Sequence, residues 1–136
     1  MFRVVFDPGV LVSAVLSQSG APAEALDAWR DGAFDLVISP LLLDELEEVL
    51  LRPRFSEYVS PDQVRAYVDA LAVEGVAFDD PEDPPRVTRD RDDDYLFALA
   101  IAAHADFIVS GDKDVTSVPS PPCPVLAPRA VLDRLR

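Results

Sequence analysis

The chain has 136 residues, of which 12 are Lys or Arg and 25 are Asp or Glu, so its formal net charge at pH 7 is −13. A protein this acidic has no broad cationic face for nucleic acid, so contact with a polyanion would need metal ions or a few well-placed arginines. One Cys and one His exclude an internal disulfide, a Cys-based metal site and a His-rich site, which leaves carboxylates as the abundant reactive groups.

The length fits one domain spanning residues 1–136, and the sequence contains no repeat or linker that would divide it. The first residues, MFRVVFDPG, have only a short apolar run before Asp7, too short for a signal-peptide core or a membrane span. With Cys123 as the lone cysteine, we expect a protein of the reducing cytoplasm with no membrane contact.

Strand-like and helix-like patterns alternate through the first half. Ser39 and Pro40 are a helix cap and first helical residue, and Ser60 with Gln63 has the spacing of a capping box. The predicted elements are a strand at 2–6, a short helix at 10–18, a helix at 21–31, a strand at 34–38, a helix at 40–51 and a helix beginning at 61.

The same alternation continues in the second half. A Pro-rich, charged loop, PEDPPRVTRDRDDD, precedes a helix that is apolar on every side and should therefore be central. The predicted elements are a weak strand within 74–80, this helix at 93–104, strands at 106–110 and 123–126, and a closing helix at 129–135. This order predicts an α/β sandwich around a mostly parallel sheet.

Two acids stand at the carboxyl ends of predicted strands. Asp7 comes after the first strand, and Asp112 comes two residues after the strand that ends at Ser110, with Gly111 between them to let the backbone turn. Ligands of open parallel sheets bind beyond the carboxyl ends of the strands. We therefore expect Asp7 and Asp112 at one edge of the sheet.

A second group of acids stands at the start of the central helix. Asp90, Asp92, Asp93 and Asp94 crowd together there. One acid suffices to cap a helix, and the others repel one another unless something cationic offsets their charge. Tyr95, which follows them, is interpreted as a packing residue, with a position beside the pocket as the alternative.

A further acid is expected from the helix after Pro40. At about 100° per residue, Asp44, Glu47 and Glu48 point away from the apolar arc, whereas Glu45 lies on its shoulder between Leu41 and Val49. An ionised carboxylate aimed inward is costly unless it is paired or bound to a metal. An all-carboxylate pocket suits Mg²⁺ or Mn²⁺; the alternative is helix capping plus ordinary surface acids.

Three segments in this order, VVFDPGVLVSA, SPLLLDELEEVL and RDRDDDYLFALAIAAHADFIVSGDKD, resemble the PIN-domain family, in particular the VapC-like toxins of bacterial toxin–antitoxin pairs. The resemblance implies a three-layer α/β/α sandwich and a metal-dependent ribonuclease. It implies RNA as substrate, a cognate antitoxin protein as partner, and a homodimer or higher oligomer. The catalytic and metal-binding acids that it implies are Asp7, Glu45, Asp93 and Asp112, with Asp94 as an alternative to Asp93.

The chain departs from the family pattern beside the first acid. Pro8 and Gly9 stand where the family commonly has Thr-Asn, and Ser110 stands where Thr is usual. The first change removes two polar side chains from the expected metal site, and the second retains a hydroxyl. Ser13 and Ser110 are candidate hydrogen-bond donors to the ligands, with ordinary bonding to the backbone as the alternative. Candidate contacts to RNA phosphate are Arg52 and Arg54, with Arg89 and Arg91, and solvated surface charge is the alternative for them.

Two other classes of function compete with a nuclease. A PIN-like module that has lost turnover would act only by binding an antitoxin or within an oligomer, and Pro8-Gly9 motivates this alternative. A phosphoacceptor receiver domain also uses acids at strand ends. It is disfavoured because the segment DPG supplies one acid where a pair is needed, and FDLVISP ends in Ser-Pro.

Overall fold

The computed structural model describes residues 1–82 and 94–135 with their side chains and residues 91–93 by their backbone alone. In this part of the chain a five-stranded sheet has the order β3-β2-β1-β4-β5, and every neighbouring pair is parallel. The strands are β1 (Arg3–Phe6), β2 (Asp35–Ile38), β3 (Val76–Ala77), β4 (Phe107–Val109) and β5 (Val125–Leu126).

Helices connect these strands, and one more follows the last strand. They are α1 (Pro8–Leu16), α2 (Ala21–Arg30), α3 (Pro40–Leu50), α4 (Pro61–Glu74), α5 (Arg91–Ala103), α6 (Lys113–Thr116) and α7 (Pro128–Arg134), with a 3₁₀ turn at Pro53–Phe55. The connections from β1 to β2 and from β3 to β4 run in opposite directions across the sheet, so right-handed crossovers place α1 and α5 on opposite faces. The predicted three-layer α/β/α sandwich is confirmed.

Continuous apolar runs form the middle layer. Val4, Val5 and Phe6 of β1 are fully buried, as expected for the central strand of a parallel sheet covered on both faces. Helix α5 packs on β1 and β4, and its residues 94–100 are all buried. Among the described helices, none is long and apolar enough to cross a membrane.

Predicted caps are present at two helix starts. Ser39 accepts a hydrogen bond from the N–H of Leu42, and Ser60 and Gln63 form both bonds of a capping box. A well-capped start fixes where each helix begins, because it satisfies N–H groups that have no partner within the helix.

Some expectations about element bounds were wrong. Helix α1 begins at Pro8, not at residue 10, because Asp7 caps it. Helix α6 was not predicted from the sequence, and α5 begins at Arg91, two residues before its predicted start. The predicted charged loop falls largely on residues 83–90, outside the described part of the chain.

Candidate functional site

The strand order identifies one edge of the sheet as the place where a ligand would bind. From β1 the chain moves to β2 on one side, whereas β4 lies on the other side, so the connections reverse direction between β1 and β4. Crevices at such a reversal, beyond the carboxyl ends of the strands, are the usual ligand sites of open α/β sheets. Phe6 pairs with Val109 in register, so the residues that follow them, Asp7 and Ser110, emerge side by side.

Three hydrogen bonds fix the position of Asp7. Its backbone N–H donates to the carbonyl of Val109 at 2.8 Å, its Oδ1 accepts from the N–H of Gly9 at 3.1 Å, and its Oδ2 accepts from the hydroxyl of Ser110 at 2.7 Å. Side chain and backbone are therefore both fixed relative to β4. The carboxylate is half-buried, so solvent or a cation can still reach it.

Ser110 also connects Asp7 to the second acid of this edge. Its fully buried hydroxyl accepts a hydrogen bond from the N–H of Asp112 at 3.0 Å while it donates to Asp7. Asp112 caps α6, because its Oδ1 accepts from the N–H of Asp114 at 2.9 Å. Asp7, Asp112 and Ser13 line one cavity of about 370 Å³.

Gly111 is not required for the reason that the sequence suggested. Among the described glycines only Gly20 and Gly32 have positive φ, and a Cβ added to Gly111 would meet nothing within 4 Å. The turn between Ser110 and Asp112 is thus compatible with an ordinary side chain. Its geometry is held by the Asp112 N–H bond to Ser110.

Glu45 lies on α3 and is half-buried, as its place on the shoulder of the apolar arc predicted. It lines a separate cavity of about 270 Å³, together with Arg52, Tyr95 and other residues of α3. Leu41, expected within the apolar arc, is instead 48% exposed, because the buried stripe of α3 is narrower and consists of Leu42, Leu46 and Leu50.

Helix α5 brings its first residues to the same edge of the sheet. Arg3, at the start of β1, donates from Nη1 to the carbonyl of Ala103 at 3.0 Å, so α5 ends at the opposite edge. A helix of this length rises about 1.5 Å per residue and spans the sheet, so it begins at the carboxyl edge. Asp94 is 1% exposed there, whereas the side chain of Asp93 lies outside the described residues.

The carboxylates and hydroxyls at this edge are the groups that could bind a metal ion. Within residues 1–82 and 94–135, no group of three or more His, Cys, Asp or Glu side chains is arranged to hold an ion. Asp7 and Asp112 share a cavity and Glu45 lines another, so the four predicted ligands are not brought together by the described side chains alone. The donors at this edge are carboxylate and hydroxyl oxygens, which match Mg²⁺ or Mn²⁺ in chemical type.

The two arginines proposed for phosphate contact differ in position. Arg52 lines the cavity that Glu45 also lines. Its Nη2 lies 4.0 Å from Oε1 of Glu48, and the side chains of Arg52 and Glu48 are both exposed. Arg54 lies over the ring of Phe55, 4.7 Å from its centroid. Only Arg52 is thus adjacent to a predicted acid. Arg89 and the side chain of Arg91 lie outside the described residues.

A polar cluster beside the cavity that Glu45 lines was not expected from the sequence. The hydroxyl of Tyr95 donates to Oδ1 of Asp80 at 2.9 Å and contacts the hydroxyl of Ser39. Burial raises the pKa of Tyr95, so its hydroxyl keeps the proton that it donates. The sequence feature that could have indicated this cluster is a Tyr directly after the acids in an otherwise apolar helix. No sequence pattern indicated that Asp80 is its partner, because Asp80 lies 15 residues from Tyr95 in the chain.

The sequence model of the PIN domain matches residues 3–114. The chain belongs to the PIN domain family. The matched range contains Asp7, Glu45, Asp93 and Asp112, and the prediction of a PIN domain is confirmed.

Similar proteins extend this comparison. An uncharacterized protein of Methanocaldococcus jannaschii, MJ1680, is 28% identical over 117 residues, which cover 85% of this PIN-domain chain and 74% of that protein. The crystal structure of VapBC2 from Rickettsia felis, bound to a DNA fragment from its promoter, matches with a TM-score of 0.65 at 14% identity, covering 93% of this chain and 98% of the other. The crystal structure of PAE2754 from Pyrobaculum aerophilum also matches with a TM-score of 0.65 at 14% identity, covering 99% of this chain and 89% of the other. These structural likenesses support the fold.

Proposed function

We propose that this protein is a divalent-metal-dependent endoribonuclease and the toxin component of a toxin–antitoxin pair. The observation that carries the proposal is the PIN-domain match, because it includes all four predicted acids and PIN domains are typically nucleases. The Asp7–Ser110–Asp112 arrangement supports it, since two acids meet where an α/β sheet usually binds its ligand.

The acids are assigned different parts in this proposal. Asp7 and Asp93 are the principal metal ligands, with Asp94 as the alternative to Asp93, and Asp112 binds the metal directly or through a water. Glu45 either completes the set or orients the attacking water. When bound, Mg²⁺ or Mn²⁺ would neutralise charge on the scissile phosphate and make that water more acidic.

The chain's own groups prepare this site without the Thr-Asn side chains common in the family. Ser110 and the N–H of Gly9 each bind one oxygen of Asp7, so both its oxygens are oriented before any ligand arrives. Ser13 lines the same cavity, which supports its proposed role as a further hydrogen-bond donor to the ligands. Arg52, beside Glu45, is the proposed contact to RNA phosphate, with Arg54 as a weaker candidate.

The toxin assignment rests on the resemblance to VapC-like proteins and on the fold shared with the VapBC2 structure. It implies a cognate antitoxin as partner, a homodimer or higher oligomer, and action in the cytoplasm. One domain covering residues 1–136 is part of the same proposal.

A second candidate is a PIN module with weak or no turnover that acts through an antitoxin or an oligomer. Two observations favour it: Pro8-Gly9 removes two polar side chains next to Asp7, and Glu45 lines a different cavity from Asp7 and Asp112.

RNA cleavage decides between the two. Purified protein is incubated with mixed-sequence single-stranded RNA in Mn²⁺, in Mg²⁺ and in EDTA, alongside Asp7→Asn, Asp93→Asn and the control Asp69→Asn. Asp69 is a suitable control because it is exposed on α4. The Asp7→Asn variant should stay folded because Asn caps a helix as well as Asp does. We expect cleavage in the wild type and the control only, and only with metal. Equal inactivity of all four folded proteins would favour the binding module.

A further inference from the structure

We propose that Tyr95 is a positioning residue whose hydroxyl fixes the first turn of α3 against the first turns of α5. Its hydroxyl bonds Asp80 and Ser39 at once, and those bonds set how Glu45 lies relative to the acids at the start of α5. The proposal rests on the metal site proposed above.

The first step is the cluster itself, which joins three separate segments. Tyr95 belongs to α5, Ser39 is the cap of α3, and Asp80 belongs to the segment that follows β3. Tyr95 is 5% exposed and Ser39 is 1% exposed, so the contact between their hydroxyls is shielded from competing water, whereas Asp80 is exposed and its bond to Tyr95 is half-buried. A shared buried hydroxyl therefore holds these segments in one arrangement.

The second step connects the cluster to the backbone of α3. Both carboxylate oxygens of Asp80 accept from the N–H of Leu41, at 3.0 and 3.2 Å, and Ser39 accepts from the N–H of Leu42. These are two of the N–H groups that have no partner within the helix. Tyr95 thus binds the two side chains that cap α3, one of them supplied from 39 residues away.

The third step connects the cluster to the acids. Glu45 lies four residues after Leu41, hence on the same face of α3, and both line the cavity that Tyr95 also lines. Tyr95 directly follows Asp93 and Asp94 in the chain. A rotation or shift of α3 against α5 would therefore change the distance between Glu45 and those acids. Groups that orient metal ligands typically change metal affinity by about 10- to 100-fold when removed.

The test compares two tyrosines whose hydroxyls both make hydrogen bonds. Tyr95→Phe removes the bonds to Asp80 and Ser39, whereas the matched control, Tyr67→Phe, removes a 3.0 Å bond from α4 to the carbonyl of Leu11. The dissociation constant for Mn²⁺ is measured by calorimetry, and hydrogen exchange of the Leu41 and Leu42 amides is measured in metal-free protein. We expect Tyr95→Phe to weaken Mn²⁺ binding about tenfold and to speed exchange at both amides, with neither change in Tyr67→Phe.

Asp80 provides a second pair of variants should Tyr95→Phe not fold. Asp80→Asn keeps an Oδ1 that can accept from both Tyr95 and Leu41, so it should retain near wild-type Mn²⁺ affinity, while Asp80→Ala should reproduce the loss. Equal weakening by the Tyr95 and Tyr67 variants, or unchanged affinity despite faster Leu41 exchange, would overturn the positioning role. A wild-type protein that binds no Mn²⁺ would overturn the proposed function itself, a different result from either.

Discussion

The hydroxyl of Ser110 donates a 2.7 Å hydrogen bond to Oδ2 of Asp7 and so joins the residue after β4 to the residue after β1. The hydroxyl oxygen of Ser110 also accepts a hydrogen bond from the N–H of Asp112. One buried side chain thereby organises both acids that line the cavity at the reversal of the sheet. The arrangement explains how this edge is held in place without the Thr-Asn pair.

Replacing Ser110 should affect stability and activity together. Ser110→Ala leaves the Asp112 N–H and one Asp7 oxygen without this partner, and we expect the free energy of unfolding to fall by about 1–3 kcal/mol in urea titrations. Metal-dependent cleavage should fall as well. Ser110→Thr keeps the hydroxyl and should cleave faster than Ser110→Ala; equal rates for the two variants would contradict this role of the hydroxyl.

Two glycines should respond differently to the same substitution. A Cβ at Gly75 would lie 2.8 Å from the carbonyl oxygen of Leu71 and 3.0 Å from Ile38, whereas a Cβ at Gly111 meets nothing within 4 Å. Gly75→Ala should therefore lower the free energy of unfolding by about 1–3 kcal/mol. Gly111→Ala should change it by less than about 0.5 kcal/mol. Chemical denaturation of both variants measures the difference, and a larger loss for Gly111→Ala would refute the packing argument.

The thiol of Cys123 should react slowly near neutral pH. Burial, with a smaller contribution from the charge of Asp106, raises its pKa to about 11. The raised pKa means that folding favours the neutral form of the Cys123 thiol. The contribution of this thiol to the free energy of unfolding is therefore complete below the ordinary thiol pKa and is lost as pH rises through about 11. Alkylation followed by mass spectrometry should give a midpoint near that value in native protein and a lower one in urea. An alkylation midpoint in the native protein at or below the midpoint in urea would contradict the raised pKa of Cys123.

Arg52 and Arg54 should differ in their effect on RNA binding. Arg52 shares a cavity with Glu45, whereas Arg54 lies on the ring of Phe55. If Arg52 contacts phosphate, Arg52→Gln should weaken binding of a non-cleavable RNA and reduce the dependence of affinity on salt concentration by about one ion. Arg54→Gln, the matched control, should change both quantities less. Fluorescence anisotropy at several salt concentrations measures the RNA affinity and its salt dependence. Equal values for Arg52→Gln and Arg54→Gln would contradict a phosphate contact made by Arg52.

The order of strands and helices could be predicted from the sequence, because buried parallel strands and capped helices leave strong local patterns. FRVVF, the Ser39-Pro40 start and the Ser60–Gln63 capping box all correspond to observed elements. The four-residue helix α6 was missed because it is too short to show a period.

Only part of the site could be predicted in the same way. Asp7 directly follows β1 and Asp112 lies three residues after β4, so topology alone brings them to one edge. The cluster of Ser39, Asp80 and Tyr95 depends on contacts between residues 15 to 56 positions apart, which no local pattern encodes. The Asp7–Ser110 bond has the same origin, because its partners are 103 positions apart and meet through strand register. The assignment of Asp93 over Asp94 stays a prediction.

Binding of Mn²⁺ to the metal-free protein tests the central claim most directly, because it requires neither the correct RNA nor an antitoxin. Calorimetric titrations compare the wild type with Asp7→Asn and with the exposed-residue control Asp69→Asn. The proposed site predicts that the wild type and the control bind Mn²⁺ alike and that Asp7→Asn binds at least about tenfold more weakly. Absence of binding in the wild type, or equal binding by all three proteins, would contradict a metal site built on Asp7.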